Sequence, residues 1–378
     1  MMMSPKSLLK IYTIAALAFL SVSSRDAGAA IALSGDVTAK NQTGVHEGEV
    51  YRNYLKADLN LNETFTSTEV KAVLRAEEDS MRPDDDSAYL RDDTGAQRLY
   101  LREAYASHDF YFESFIDSIN IKAGRIIYTW GNSDELKPVD IINPQDYSNL
   151  YFTPINDRKY GVLSGSVSVF FTENFFIEAI AVPEFRPSEI ASSVFVTSQM
   201  REMSSYTLHD QVLPDEKISN SSAAGRMGLT IFDVDMHASY FYGYDRLPVY
   251  SMAYPGTLEI TPVYKKIQMF GFDFQRALFS GISVRGEAAF FERGKCFAYS
   301  SEGASLLASP LGADLSTGGS GYAEKKYIEY TAGFDDTDFI FQDLYLNLQF
   351  HQKIIMDYDD GLVSEQYKNL VLWNIKYY

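Results

Sequence analysis

The chain has one cysteine, Cys296, in 378 residues. A disulfide framework and haem attachment through Cys-x-x-Cys-His are therefore excluded. Past residue 29 no run of eighteen apolar residues occurs, which excludes helical membrane spans. Basic residues are outnumbered, 33 Lys and Arg against 51 Asp and Glu, for a net charge of -18. Phosphate binding needs basic patches, so no nucleic-acid partner is expected. The five histidines, His46, His108, His209, His237 and His351, lack metal-ligand spacing. His237 and Ser239 face the same way, but two residues apart on one strand is not a nucleophile–base geometry. Ser316–Gly321 is glycine-rich without the Lys-Ser/Thr of a phosphate cradle. No enzymatic activity, metal or cofactor is expected.

What is present begins with an export signal. Lys6 and Lys10 precede an apolar run from Ile11 to Val22, followed by Ala27-Gly28-Ala29. These are the basic region, hydrophobic region and small-residue cleavage site of a secretory signal peptide spanning residues 1–29. The apolar run is too short for an uncleaved helical anchor. Residues 30–378 are then the exported protein, either a soluble β-protein or an outer-membrane β-barrel.

Periodicity decides between the two. Leu55, Ala57, Leu59 and Leu61 alternate with Lys56, Asp58, Asn60 and Asn62, the period-2 pattern of a strand with one apolar face. The same pattern covers Ile282–Phe291 and Ile340–His351. Fourteen such strands are predicted, near 31–39, 50–63, 67–77, 98–108, 117–129, 160–171, 175–185, 222–232, 234–245, 262–276, 281–292, 325–335, 339–352 and 367–378. The connections alternate short and long. That rhythm belongs to a transmembrane barrel with short periplasmic turns and long extracellular loops. The fold expected is all-β, an antiparallel transmembrane β-barrel of about 14 strands. Its last strand would turn Val371, Trp373, Ile375 and Tyr377 to lipid.

The connection from 130 to 159 departs from the pattern. It follows Trp130-Gly131 and carries five carboxylates, with Arg158 and Lys159 at its end. Long structureless connections in compact domains are usually functional. Folded inward, it would form a constriction from Asp134, Glu135, Asp140, Asp146, Asp157, Arg158 and Lys159. Trp130 would anchor at the membrane interface. Strict alternation puts Arg125 on the lipid side, so a bulge at Gly124 is expected to turn it inward, into the same site. The polar strand face places Lys56, Asp58, Asp273, Arg285, Glu287 and Asp343 along the lumen, with Asp273, Arg285 and Glu287 in a cross-strand ion-pair network. Asp84–Asp86 and Asp357, Asp359 and Asp360 read as solvated acidic clusters. In the second, Gly361 falls one place early for a calcium loop.

Gly124-Arg125, Trp130-Gly131, Asp134, Asn143-Pro144 and Asp146 together resemble the signature of an uncharacterised porin-like outer-membrane family of Gram-negative bacteria. Ala224–Pro248, Gly271-Phe272-Asp273 with Val284–Glu287, and Gly333-Phe334-Asp335 fit it too. Ile126 stands where that family usually has glutamine. The resemblance implies a barrel in the outer membrane and no particular substrate.

The function expected is a porin-like channel for small hydrophilic solutes, preferring cations because of its charge. The alternative is a plugged, non-conducting barrel acting as a surface binding or assembly protein, or an export conduit. The partners expected are outer-membrane lipids, the barrel-assembly machinery and small solutes, and homo-oligomers would be compatible with this class.

Overall fold

The computed structural model describes residues 32–43, 50–80, 97–134, 136–147, 153–189, 206–253, 258–278, 281–294, 296–298, 322–337, 343–362 and 364–377. Residues 1–29, expected as a signal peptide, and His46, Asp84–Asp86, Glu135, Ser316–Gly321 and Tyr378 lie outside them.

The chain is all-β apart from short helical turns. Its strands are β1 (Ala32–Thr43), β2 (Val50–Phe65), β3 (Thr68–Asp79), β4 (Gln97–Tyr111), β5 (Ser118–Ile126), β6 (Val162–Thr172), β7 (Phe175–Val182), β8 (Tyr206–Leu208), β9 (Ser222–Ile231) and β10 (Val234–Tyr244). After these come β11 (Val249–Ala253), β12 (Leu258–Val263), β13 (Lys266–Ala277), β14 (Ile282–Arg293), β15 (Cys296–Ala298), β16 (Tyr322–Glu324), β17 (Tyr327–Asp336), β18 (Leu344–Ile355) and β19 (Tyr367–Tyr377). Fourteen of them form one sheet in the order β1 to β7, β9, β10, β13, β14, β17, β18, β19. The other five make two small sheets, β11-β12-β8 and β15-β16, inside the long connections.

All fourteen expected strands are present, several with shifted ends, and two of the shifts have identifiable reasons. The strand expected at 117–129 stops at Ile126, because the Tyr128 amide leaves the ladder and donates to Asn143 Oδ1 at 2.7 Å. The strand expected at 262–276 starts at Lys266, since 258–263 belongs to a small sheet. Pro262, with no amide hydrogen to offer a ladder, sits in that shorter piece. No helix among the described residues is long and apolar enough to cross a membrane.

Burial along the strands is inverted relative to a water-soluble sheet. On β6, Ser164, Ser166 and Ser168 are buried while Leu163 and Val167 are exposed. On β18, Asn347, Gln349 and His351 are buried, while Phe350 is 38% exposed. On β19, the last strand in the sheet order, residues of both faces are exposed, Val371, Trp373, Ile375 and Tyr377 among them. Apolar side chains left outside and polar ones buried suit a wall with hydrocarbon on one side. Placing a charge on the apolar face with Phe350→Arg should therefore cost roughly 2–4 kcal/mol of folding stability at mid-depth. Urea titration of the protein refolded in vesicles measures it, and a cost within error of zero would put that face in water.

Two compact units divide the chain, Met1–Phe110 with Asn120–Ile127, and Tyr111–Ile119 with Tyr128–Tyr378. In the first, the buried face is a ladder of ion pairs. Arg75 holds Asp58 with two hydrogen bonds of 2.7 Å, and Lys56 Nζ lies 3.5 Å from the same carboxylate. Arg52 pairs with Asp79, Arg98 with Glu77, and Lys71 Nζ with Glu103 at 2.8 Å. The opposite face shows Leu74, Leu99 and Leu101. A bulge occurs in β4: the register slips between Val73 and Leu74, with Arg102 the extra residue. Gly124 itself has φ +141, and a Cβ there would lie 2.3 Å from the Ala104 carbonyl oxygen. Arg125 is half-buried beside it, and Ile126 is fully buried.

Candidate functional site: a strap on the polar face

The second unit carries the departure that the sequence marks. After β5 the chain does not continue outward as a solvated loop. It packs as a strap over the buried polar face of β9, β10, β13, β14, β17 and β18.

The strap begins with a turn only glycine can make. Gly131 has φ +79, and a Cβ there would stand 2.4 Å from Glu287 Oε1. The turn drives Asn132–Asp134 down onto the strands. Asn132 Nδ2 donates to Asp273 Oδ1 at 2.8 Å, and the Ser133 amide donates to Glu287 Oε1. Asp134 accepts from Arg285 Nη1 at 2.9 Å and from Asn347 Nδ2. Arg285 also donates to the Asn132 carbonyl at 3.1 Å and pairs with Asp335. One residue group further on, Thr331 Oγ1 donates to the Leu136 carbonyl at 3.2 Å. Each bond from the strap to these strands joins residues more than 140 positions apart in the chain, so its docking is a tertiary feature.

The middle of the strap is its own core. Val139 and Ile142 are fully buried, and Asp140 forms an ion pair with Lys159. Lys159 Nζ also donates to the Tyr128 carbonyl at 3.0 Å and to Thr129 Oγ1 at 3.3 Å. Burial pushes the Asp140 carboxyl above its ordinary value, while Lys159 pulls it down. Asn143 clips the two ends of the segment together, accepting from the Tyr128 amide and donating to the Tyr160 carbonyl at 2.8 Å.

The far end is built like a small sheet. Gln145 bridges to Lys159 and Asp146 to Glu189, and the Asp146 amide donates to the Arg158 carbonyl at 2.8 Å. Arg158 closes a four-residue helix, α1 (Ile155–Arg158), and its Nε caps the Thr153 carbonyl at 2.6 Å. Arg246 donates to the Ile142 carbonyl at 3.3 Å and stacks over Phe185. Its burial lowers the guanidinium to about 10.

The sequence-predicted residues therefore separate. Asp134, Asp140, Asp146, Arg158, Lys159, Asp273, Arg285 and Glu287 all belong to this assembly, and Asp157 is half-buried in α1. Lys56 and Asp58 are neutralised within the first unit's ladder. Several expectations need correction. Trp130 is no interface anchor: it is 2% exposed, and the Arg226 guanidinium lies 5.7 Å from its ring. Asp343 is exposed in a turn at φ +66 and precedes β18, so it does not line the polar face. Asp273, Arg285 and Glu287 do not form a mutual ion-pair network. The register sets Asp273 opposite Glu287, and Arg285 is taken by Asp134 and Asp335.

Sequence reasoning missed Arg52, Arg75, Glu77, Asp79, Arg98 and Glu103, although the two-residue spacing of Arg75, Glu77 and Asp79 on 68–79 was a usable signal. Asn132, Ser133, Thr331 and Asn347 could not be found, because ordinary polar residues gain their role only from contact.

A family model described as a protein of unknown function (DUF1302) matches residues 20–366. The chain belongs to that family. No curated protein matches it. Among solved structures, the outer-membrane channel DcaP of Acinetobacter baumannii is similar at 10% identity, covering 93% of this chain and 87% of that one, with a TM-score of 0.45. OprB of Pseudomonas putida, in a high-pH structure, is 11% identical over 92% and 93%, with a TM-score of 0.39. OccAB1 of Acinetobacter baumannii is 10% identical over 90% and 71%, with a TM-score of 0.41.

Proposed function

We propose that the chain is a porin-like outer-membrane channel for small hydrophilic solutes, narrowed by the strap from Tyr128 to Tyr160. The observation that carries this reading is the polar, buried sheet face with an ordered strap packed onto it, opposite an exposed apolar face. A wall of that polarity is stable in a bilayer and hydrated within. The excess of carboxylates favours cations. On this reading, Gly124-Arg125, Trp130-Gly131 and Asn143-Pro144 with Asp146 are the family's strap signature. Residues 1–29 direct export and are removed, the barrel-assembly machinery inserts the wall, and the membrane is that of a Gram-negative bacterium.

The second reading, a plugged barrel serving in binding, assembly or export, is favoured by one observation: the strap is tied down by buried polar contacts along its described length.

Planar-bilayer recording separates the two. Stable ohmic steps with a reversal potential on the cation side of a KCl gradient are expected. Anion preference would keep the channel and remove the charge argument, and silence from verified folded protein would favour the plug. The export expectation has its own check, since the intact mass of protein from outer membranes should begin at Ala30.

A further inference from the structure

Thr331 of β17 and His351 of β18 are register partners on the buried polar face, at 2% and 4% exposure. The Thr331 hydroxyl carries one hydrogen, and two acceptors compete for it. It donates to the Leu136 carbonyl of the strap at 3.2 Å, and it lies 3.2 Å from His351 Nδ1. At the other side of the ring, His351 Nε2 lies 3.3 Å from Glu329 Oε1. A carbonyl has no hydrogen to give. So while Thr331 donates to Leu136, His351 Nδ1 must carry a hydrogen and donate to the hydroxyl oxygen. Nε2 then faces a carboxylate, and two acceptors that close repel unless a proton lies between them. The arrangement therefore holds one proton more than a neutral ring beside an ionised Glu329.

Loss of that proton changes the direction of the chain. The carboxylate keeps the ring's one remaining hydrogen on Nε2, Nδ1 becomes an acceptor, and it draws the Thr331 hydrogen away from Leu136. We infer that His351, Glu329 and Thr331 form a proton-operated latch on the strap, closed at Leu136 when the His351–Glu329 pair carries the extra proton and open when it does not. The latch opens as pH rises, in the range where histidine changes charge. Lys353 of β18 and Lys368 of β19 act on the ring as fixed positive charges, and Glu287 of β14 stands opposite Thr331 in register. Tyr327 and Tyr147 lie beside Glu329 and keep their hydrogens in this range. From the strap, Lys137 follows Leu136 directly, and Asp134 accepts from Asn347 of β18. A second histidine reaches the strap at its other end, His237 through Asp273 and Asn132. The latch stands whether or not the protein conducts.

The test is hydrogen exchange read by mass on full-length protein refolded in detergent, at pH 5 and pH 8. Rates are divided by those of the unfolded chain at the same pH. In the wild type, protection of peptides spanning 136–142 should fall about 2- to 10-fold from pH 5 to pH 8, the scale of one hydrogen bond. H351Q, whose side chain cannot take up the proton, should lose the pH effect. T331V should show the lower protection at both pH values. H237Q and E287Q should keep the effect, because they remove the titratable groups at the other end of the strap. Nitrogen-15 spectra of the histidine rings, with His351 assigned by its loss in H351Q, should show Nδ1 protonated at pH 5 and unprotonated at pH 8. A constant Nδ1 state overturns the latch. So does a pH effect that survives in H351Q or disappears in H237Q or E287Q, or T331V protection equal to wild type at pH 5. If H351Q fails to fold, T331V exchange decides, together with whether one histidine's Nδ1 changes state.

Discussion

Asp140→Asn should destabilise the folded protein by roughly 3–5 kcal/mol, the scale of removing one partner from a buried ion pair. The reason is what stays behind: Lys159 is 1% exposed, and without Asp140 its charge keeps the neutral Tyr128 carbonyl and Thr129 hydroxyl but loses this carboxylate. Lys159→Met should cost less, because the stranded carboxyl can take up a proton. Its affinity for that proton is already raised by burial and rises further without Lys159. A carboxyl with a raised folded value contributes stability below its unfolded value and loses it as pH climbs through the raised one. The cost of Lys159→Met should therefore shrink from pH 7 to pH 5, while that of Asp140→Asn stays. The double variant should recover most of the loss. Urea titration in vesicles at both pH values gives all these numbers. Additive single and double effects would mean the pair is not the anchor of the strap.

Gly131→Ala has the second large effect expected, about 1–3 kcal/mol for an L-residue forced into φ +79. The new methyl also displaces the Glu287 carboxylate, which breaks the Ser133–Glu287 hydrogen bond. Single-channel records should then show added noise as Asn132–Asp134 lift. Gly225→Ala is the control. Its φ is ordinary and its Cβ would meet the Glu178 carbonyl at 3.4 Å, so it should change little. Equal losses for the two glycines would remove the strap turn as the cause.

Much of the architecture was legible because strand polarity is a local property. Lys56 next to Ala57, or Phe350 next to His351, declares two faces without reference to any other strand. Turn lengths gave the up-and-down order, and Trp130-Gly131 marked, within a few residues, where the strand pattern gives way to the strap. The site was legible only as a composition. Five carboxylates and three basic residues between 130 and 159 indicated an unusual segment, but not that Asp140 would choose Lys159, nor that Trp130 would lie under Arg226.

The sequence by itself determined the fourteen strands and which face of each is apolar, since both depend on neighbours within a few residues. Only the tertiary structure decided the strap's course, the capture of Arg285 by Asp134 and Asp335, and the opposition of Asp273 to Glu287. Those depend on register and on contacts across more than a hundred residues, and no period in the chain encodes them.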